Sequence, residues 1–230
     1  VFYFAFRLVL LPLLRWLFRP RVEGVGRVPG AGAVILAGNH QSFTDQLLLG
    51  ATLRRRLTFL AKQEYFTAPG LKGRATAALF RALGQIPVDR SGKDAARAAL
   101  DTALQVLDRE GVLGIFPEGT RSHDGRLYKG KVGVAAMALR SGAPVVPVAI
   151  IGTFEAQPKG RRLPRRVPVV LRFGEPLDFS RYAGMENERL VLRAVTDEIM
   201  YAVQRLSEQE YVDVYAAEAR VAWEAGAAAA

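Results

Sequence analysis

Ala33-Val34-Ile35-Leu36-Ala37-Gly38-Asn39-His40-Gln41-Ser42-Phe43-Thr44-Asp45 is the stretch on which the fold turns. Its first five residues form an apolar run without polar alternation, the pattern of a short strand buried on both faces. From Asp45 to Leu53 the apolar residues recur at helical spacing, so a strand gives way to a helix across one turn. That turn carries His40, one of only two histidines in the chain, and Asp45 five positions on. Histidine is the side chain whose unperturbed pKa lies nearest neutrality, and a carboxylate can orient its ring and stabilise its protonated form. His40 and Asp45 are therefore a candidate general base and its orienting partner. The same residues admit a plainer reading. Ser42-Phe43-Thr44-Asp45 is also a capping box, with Asp45 serving the first amides of the helix. Both readings can hold together.

Outward from this stretch, short β-rich runs alternate with helix-period segments. Strands are expected over Val22–Val28, Leu57–Ala61, Gln85–Val88, Val112–Phe116, Val145–Ile151 and Val167–Phe173. Helices are expected over Gly70–Leu83, Lys131–Arg140, Leu190–Leu206 and Gln209–Glu224. Ser91-Gly92-Lys93-Asp94 reads as a capping box opening another helix that stops at Gly111. Pro147 interrupts an otherwise apolar strand and implies a bulge or an edge there. Alternation with fully apolar strands argues for an α/β domain, a mostly parallel sheet flanked by helices. We divide the chain into an N-terminal helix, residues 1–19, and one domain, residues 20–230. In such sheets ligands gather beyond the carboxyl ends of strands. The His40 turn, Asp89-Arg90 and Pro117-Glu118-Gly119-Thr120-Arg121 all follow expected strands, and they are expected to share a crevice.

Composition narrows the chemistry. The chain has 230 residues, half of them hydrophobic, with 32 basic and 22 acidic residues and a net charge of +10. That balance suits an anionic partner: nucleic acid, an anionic membrane surface or a phosphorylated small molecule. The absence of cysteine removes disulfides, thiol nucleophiles and cysteine-based metal sites together. Val1 to Phe18 is apolar apart from Arg7, Arg15 and a break at Pro12. As a helix it would reach roughly 27 Å, barely a bilayer core, and its arginines make spanning costly. Arg7, Arg15 and Arg19 fall within a third of the helical circumference, the pattern of an amphipathic helix lying in a membrane interface. The alternative is a helix packed against the domain. The basic, proline-rich stretch Gln157–Arg166 reads as a loop; near an anionic leaflet each of its cations would contribute about 1 kcal/mol.

Four segments carry chemistry. Asn39-His40-x4-Asp45 is the first. Phe116-Pro117-Glu118-Gly119-Thr120-Arg121-Ser122 is the second, where amides, hydroxyls and a guanidinium fork suit a phosphate, or where Glu118 and Arg121 simply pair. Gly84-Gln85-Ile86-Pro87-Val88-Asp89-Arg90 and Val146-Pro147-Val148-Ala149-Ile150 complete the set.

In this order and spacing the four segments resemble the blocks of the glycerolipid acyltransferases, specifically the 1-acylglycerol-3-phosphate (lysophosphatidate) acyltransferases. NHxSxxD is matched from Asn39 to Asp45, G-x-I-x-x-x-R from Gly84 to Arg90, FPEGTRS from Phe116 to Ser122, and V-P-V-x-I from Val146 to Ile150. The resemblance implies that His40 takes a proton from an acceptor hydroxyl while Asp45 holds its imidazole. The acceptor phosphate would be bound by Arg121 in a turn built by Glu118, Gly119 and Thr120, with Arg90 and Lys62 as further contacts. The donor would be acyl-CoA or acyl-carrier protein, attacked directly with no acyl-enzyme, no metal and no bound cofactor. Thr120 favours lysophosphatidate, since glycerol 3-phosphate enzymes of the family tend to read EGGRS. The enzyme would sit on the cytoplasmic face of a membrane. Acylation of glycerol 3-phosphate or another lipid or glycolipid hydroxyl is the alternative, and a non-catalytic protein binding anionic lipid or nucleic acid a second one.

Other chemistries fit less well. Gly125 to Lys131 approximates a P-loop, but Val132 stands where magnesium needs Ser or Thr. There is no G-x-S-x-G elbow and no H-E-x-x-H pair. Nucleic acid is not expected as a partner, since no recognition motif or aromatic platform accompanies the basic run.

Overall fold

The computed structural model describes residues 11–89, 94–158, 161 and 163–221. A helix over residues 11–18, α1, leads into β1 (Arg21–Glu23). There follow β2 (Val34–Gly38), α2 (Asp45–Thr52), β3 (Leu57–Lys62), α3 (Glu64–Thr67), α4 (Gly70–Ala82) and β4 (Gln85–Val88). Next come α5 (Ala95–Asp108), β5 (Val112–Ile115), β6 (Leu127–Tyr128), α6 (Gly133–Ser141) and β7 (Val145–Ile151). The chain continues through α7 (Thr153–Ala156), β8 (Val170–Phe173), α8 (Arg189–Ser207) and β9 (Tyr211–Val212) to a helix at 216–221. Seven strands form one sheet in the order β1-β8-β7-β2-β5-β3-β4, parallel except where β7 meets β8. β6 and β9 pair separately, in parallel.

The period of two in a strand explains why the runs are apolar throughout. Val34 and Leu36 enter one core with Val146, Val148, Leu48 and Leu49, while Ile35 and Ala37 enter the opposite core with Val134, Ala138, Val195 and Ile199. α1 and α2 cover the first face; α5, α6 and α8 cover the second. Pro147 lies inside the sheet, and the expected bulge is present. Val148 pairs with Phe173 but Val145 bridges Leu177, so two residues of β7 oppose three of the neighbouring chain where Pro147 lacks an N–H.

Several expectations need correcting. The segment Gln209–Glu224 is not one helix, because residues 211–212 pair with β6 and only 216–221 are helical. Val22–Val28 is a strand only to Glu23, after which Gly24 takes a left-handed turn into a 3-10 helix, Val25–Arg27. β8 starts at Val170 rather than Val167. Residues 1–10 lie outside the described residues, as do Ser91 to Lys93 of the expected capping box. The described part of the N-terminal helix buries Leu14 and Phe18 in the first core and exposes Leu13 and Trp16, so one side of it is packed on the domain. No helix among the described residues is long and apolar enough to cross a membrane.

Candidate active site

β2 and β5 are neighbours, yet their connections leave for opposite faces of the sheet, to α2 and to α6. Divergence of adjacent connections opens a crevice beyond the carboxyl ends of the strands. The His40 turn and the Pro117–Ser122 turn face each other there: the Ser122 amide donates to the His40 carbonyl at 2.8 Å. His40 Nδ1 lies 2.9 Å from Asp45 Oδ2, and the Asp45 side chain is fully buried. The same oxygen accepts the amides of Gln41 at 2.7 Å and Ser42 at 2.8 Å. Asp45 thus fixes the turn ahead of α2 and holds the imidazole with one oxygen. The expected capping box is not made: Ser42 Oγ accepts from the Thr44 amide rather than from Asp45, and the residue before α2, Thr44, makes no side-chain cap bond. With Nδ1 turned to the carboxylate, Nε2 makes no hydrogen bond among the described residues and is available to accept a proton.

The ring is also held from its face. His40 stacks on Phe116 with centroids 4.0 Å apart and planes 6° from parallel, and Phe116 stacks on Phe59 at 5.2 Å. The column needs a glycine beneath it, because a Cβ at Gly114 would overlap the Phe59 ring. Glu118 braces the crevice from inside. One carboxyl oxygen accepts the His40 amide at 2.9 Å and the other the Tyr128 amide at 3.0 Å. Burial pushes its pKa up to about 8 against the lowering effect of those amides, with the nearby Asp45 and Asp124 adding to the rise. Burial thus holds a glutamate two residues from Thr120 toward its neutral form. Farther along the loop, burial would raise the Asp124 carboxyl, but the Tyr128 hydroxyl and Arg126 outweigh it and hold it at about 2.

Glu118 and Arg121 do not pair. Thr120 and Arg121 make no hydrogen bond or ion pair among the described residues, which leaves the half-buried guanidinium open to a ligand. Gly119, at a φ of 75°, lets the Lys131 side chain lie across the turn: a Cβ there would meet Lys131 Cε at 3.0 Å and Nζ at 3.1 Å. The Lys131 amide donates to the Pro117 carbonyl at 2.8 Å and ties the two segments. Lys62 is exposed at the carboxyl end of β3, the strand beside β5. Arg90 lies outside the described residues.

The family model described as Acyltransferase matches residues 19–151, more than half of the chain. The chain belongs to the acyltransferase family. The chain is 32% identical over 167 residues to the 1-acyl-sn-glycerol-3-phosphate acyltransferase of Limnanthes alba, covering 72% of this chain and 58% of that one. It is 26% identical over 191 residues to that of Bacillus subtilis, covering 82% of this chain and 88% of the relative. The match to the human 1-acyl-sn-glycerol-3-phosphate acyltransferase alpha covers 50% of that protein, so the chain spans about half the length of several relatives it matches. Among solved structures, the 1-acyl-sn-glycerophosphate (LPA) acyltransferase PlsC from Thermotoga maritima aligns with a TM-score of 0.67 at 28% identity, over 89% of this chain and 79% of that one.

Sequence reasoning missed several residues of the crevice. Lys131 was visible only as part of a failed P-loop, and Phe59, Phe116 and Gly114 only as apolar filler. Asn39 was visible as a motif residue but not as a tether. Its side chain accepts the Ile150 amide at 2.7 Å and donates to the Ile150 carbonyl at 2.9 Å, fastening the end of β2 to the end of β7.

Proposed function

We propose that this protein transfers a fatty acyl group from an acyl thioester to the free hydroxyl of lysophosphatidate, giving phosphatidate. The reading is carried by one observation: a histidine held at Nδ1 by a buried carboxylate, with a partner-free arginine turn bonded to its own backbone. His40 Nε2 takes the hydroxyl proton as the oxygen attacks the thioester carbonyl. The tetrahedral intermediate collapses with cleavage of the C–S bond, and the imidazolium returns the proton to the leaving thiolate. Asp45 orients the ring and stabilises its charged form. Arg121 binds the acceptor phosphate by its guanidinium fork, with Lys131 across Gly119 and Lys62 on the neighbouring strand as further cations. Glu118, fully engaged by two amides, acts as a brace. Thr120 favours lysophosphatidate over glycerol 3-phosphate as acceptor. The donor is acyl-CoA or acyl-carrier protein, and the reaction uses no cofactor.

A membrane-surface location follows from the same substrates, and the exposed side of α1 supports it. Leu13 is 53% exposed, Trp16 61% and Leu163 77%, with the Arg166 guanidinium 5.2 Å from the Trp16 ring. Apolar side chains interleaved with Arg15, Arg165 and Arg166 suit an anionic headgroup layer on the cytoplasmic face. The deciding assay uses purified protein, a panel of lysophosphatidate, glycerol 3-phosphate and other lysolipids, and free-thiol release as readout. Acceptor-dependent release with lysophosphatidate, lost in His40→Ala, is expected. Undiminished release in that variant would overturn the reading.

A further inference from the structure

Both chain neighbours of His40 are tied to one side chain that lies well beyond the family-matched segment. Gln209, just after α8, accepts a hydrogen bond at Oε1 from Asn39 Nδ2 at 2.7 Å and donates from Nε2 to the Gly125 carbonyl at 2.6 Å. That carbonyl also accepts from Gln41 Nε2 at 3.3 Å. Asn39 and Gln41 flank His40, so the catalytic turn is gripped on either side, directly and through Gly125. The orientation of the Gln209 amide is dictated by its partners, since only an oxygen can face the Asn39 amide group and only an NH2 the carbonyl.

The grip belongs to a longer contact. The Leu127 amide donates to the Glu210 carbonyl at 2.9 Å, β9 pairs with β6, and Lys129 meets Asp213 at 2.9 Å. β6 in turn supplies the Tyr128 amide that holds Glu118. We propose that Gln209 is a positioning residue for the catalytic histidine, and that the segment 209–214 is a latch holding the His40 turn and the Arg121 turn in register. The proposal rests on His40 being the base. Its physical basis is that transfer from a held hydroxyl requires the reacting groups to be held within about 0.5 Å of their productive positions, and a misplacement of about 1 Å costs about 100-fold in rate.

The test uses the full chain with Gln209→Met, which preserves length but makes neither bond, and Gln209→Glu, which keeps an acceptor for Asn39 but turns a second oxygen to the Gly125 carbonyl. Both are expected to lower kcat for thiol release by about 10- to 100-fold with both substrate KM values within about twofold. Arg55→Ala provides the comparison for lost stability alone, because Arg55 bonds the carbonyls of Pro29, Gly32 and Glu110 at the opposite end of the sheet. It should lower the melting temperature and leave kcat intact. With only two histidines in the chain, the His40 ring nitrogens can be followed by 15N NMR independently of turnover. Their resonances should shift or broaden in both Gln209 variants. His40 resonances superimposable on the parent, or an unchanged kcat in a folded variant, would overturn the latch. Absence of lysophosphatidate acylation in the parent would instead overturn the proposed function and leave the NMR arm to decide the latch.

Discussion

At the residue scale, the roles separate by what each side chain can lose. Asp45→Asn retains size, but its amide group would face the amides that Oδ2 now accepts or lose the imidazole. kcat should fall by about 10²- to 10⁴-fold with a well-formed fold by circular dichroism. Arg121→Ala should raise the acceptor KM at least about tenfold and leave the donor KM unchanged. Lys131→Ala should do the same by a smaller factor that shrinks as salt is added, since an exposed ammonium is readily screened. An acceptor KM insensitive to both would remove that turn from the phosphate site. Glu118 carries a pH signature. Its pKa is raised in the fold from 4.5 to about 8, so the fold favours the protonated form. Its stabilising contribution is complete below about pH 4.5 and is lost as pH rises toward 8, on the order of a few kcal/mol. Urea titrations at pH 5, 7 and 9 should show that decline, and Glu118→Gln should flatten it.

At the scale of elements, the strand-turn-helix around His40 was legible because each part has its own signal: a buried run, a polar turn and a helical period. The observed β2 and α2 lie within one residue of expectation at each end. The C-terminal segment was illegible for an equally physical reason. Gln209 to Glu224 is rich in helix-forming Ala and Glu, yet its first residues gain more from pairing with β6 than from intrinsic helicity. Two-residue strands such as β6 and β9 carry no periodicity to detect. The ring column is a property of three elements, β3, β5 and the turn after it. Gly114→Ala should force Phe59 aside, cost about 1–3 kcal/mol by overpacking, and loosen Phe116 under His40. A melting curve and kcat measured together check it: stability and rate should fall in one variant.

At the scale of the whole molecule, the seven-stranded sheet brings segments from across the chain to one edge, and its outer layer includes α1 beside the basic loop. Trp16→Ala combined with Leu163→Ser should reduce partition onto anionic vesicles several-fold while leaving acylation of short-chain, detergent-dispersed acceptor unchanged. Equal sedimentation of variant and parent with vesicles would detach this surface from the membrane. The sequence by itself determined the fold class, the central strands, the candidate base with its carboxylate and the arginine turn, because buried periodicity and compact motifs are local. Only the tertiary structure decided which groups meet. Strand order set β2 beside β5, burial placed the Glu118 carboxyl against the His40 and Tyr128 amides, Gly119 admitted Lys131, and the segment after α8 returned to hold Asn39. Each of these depends on contacts between residues far apart in the chain, which composition and spacing do not encode.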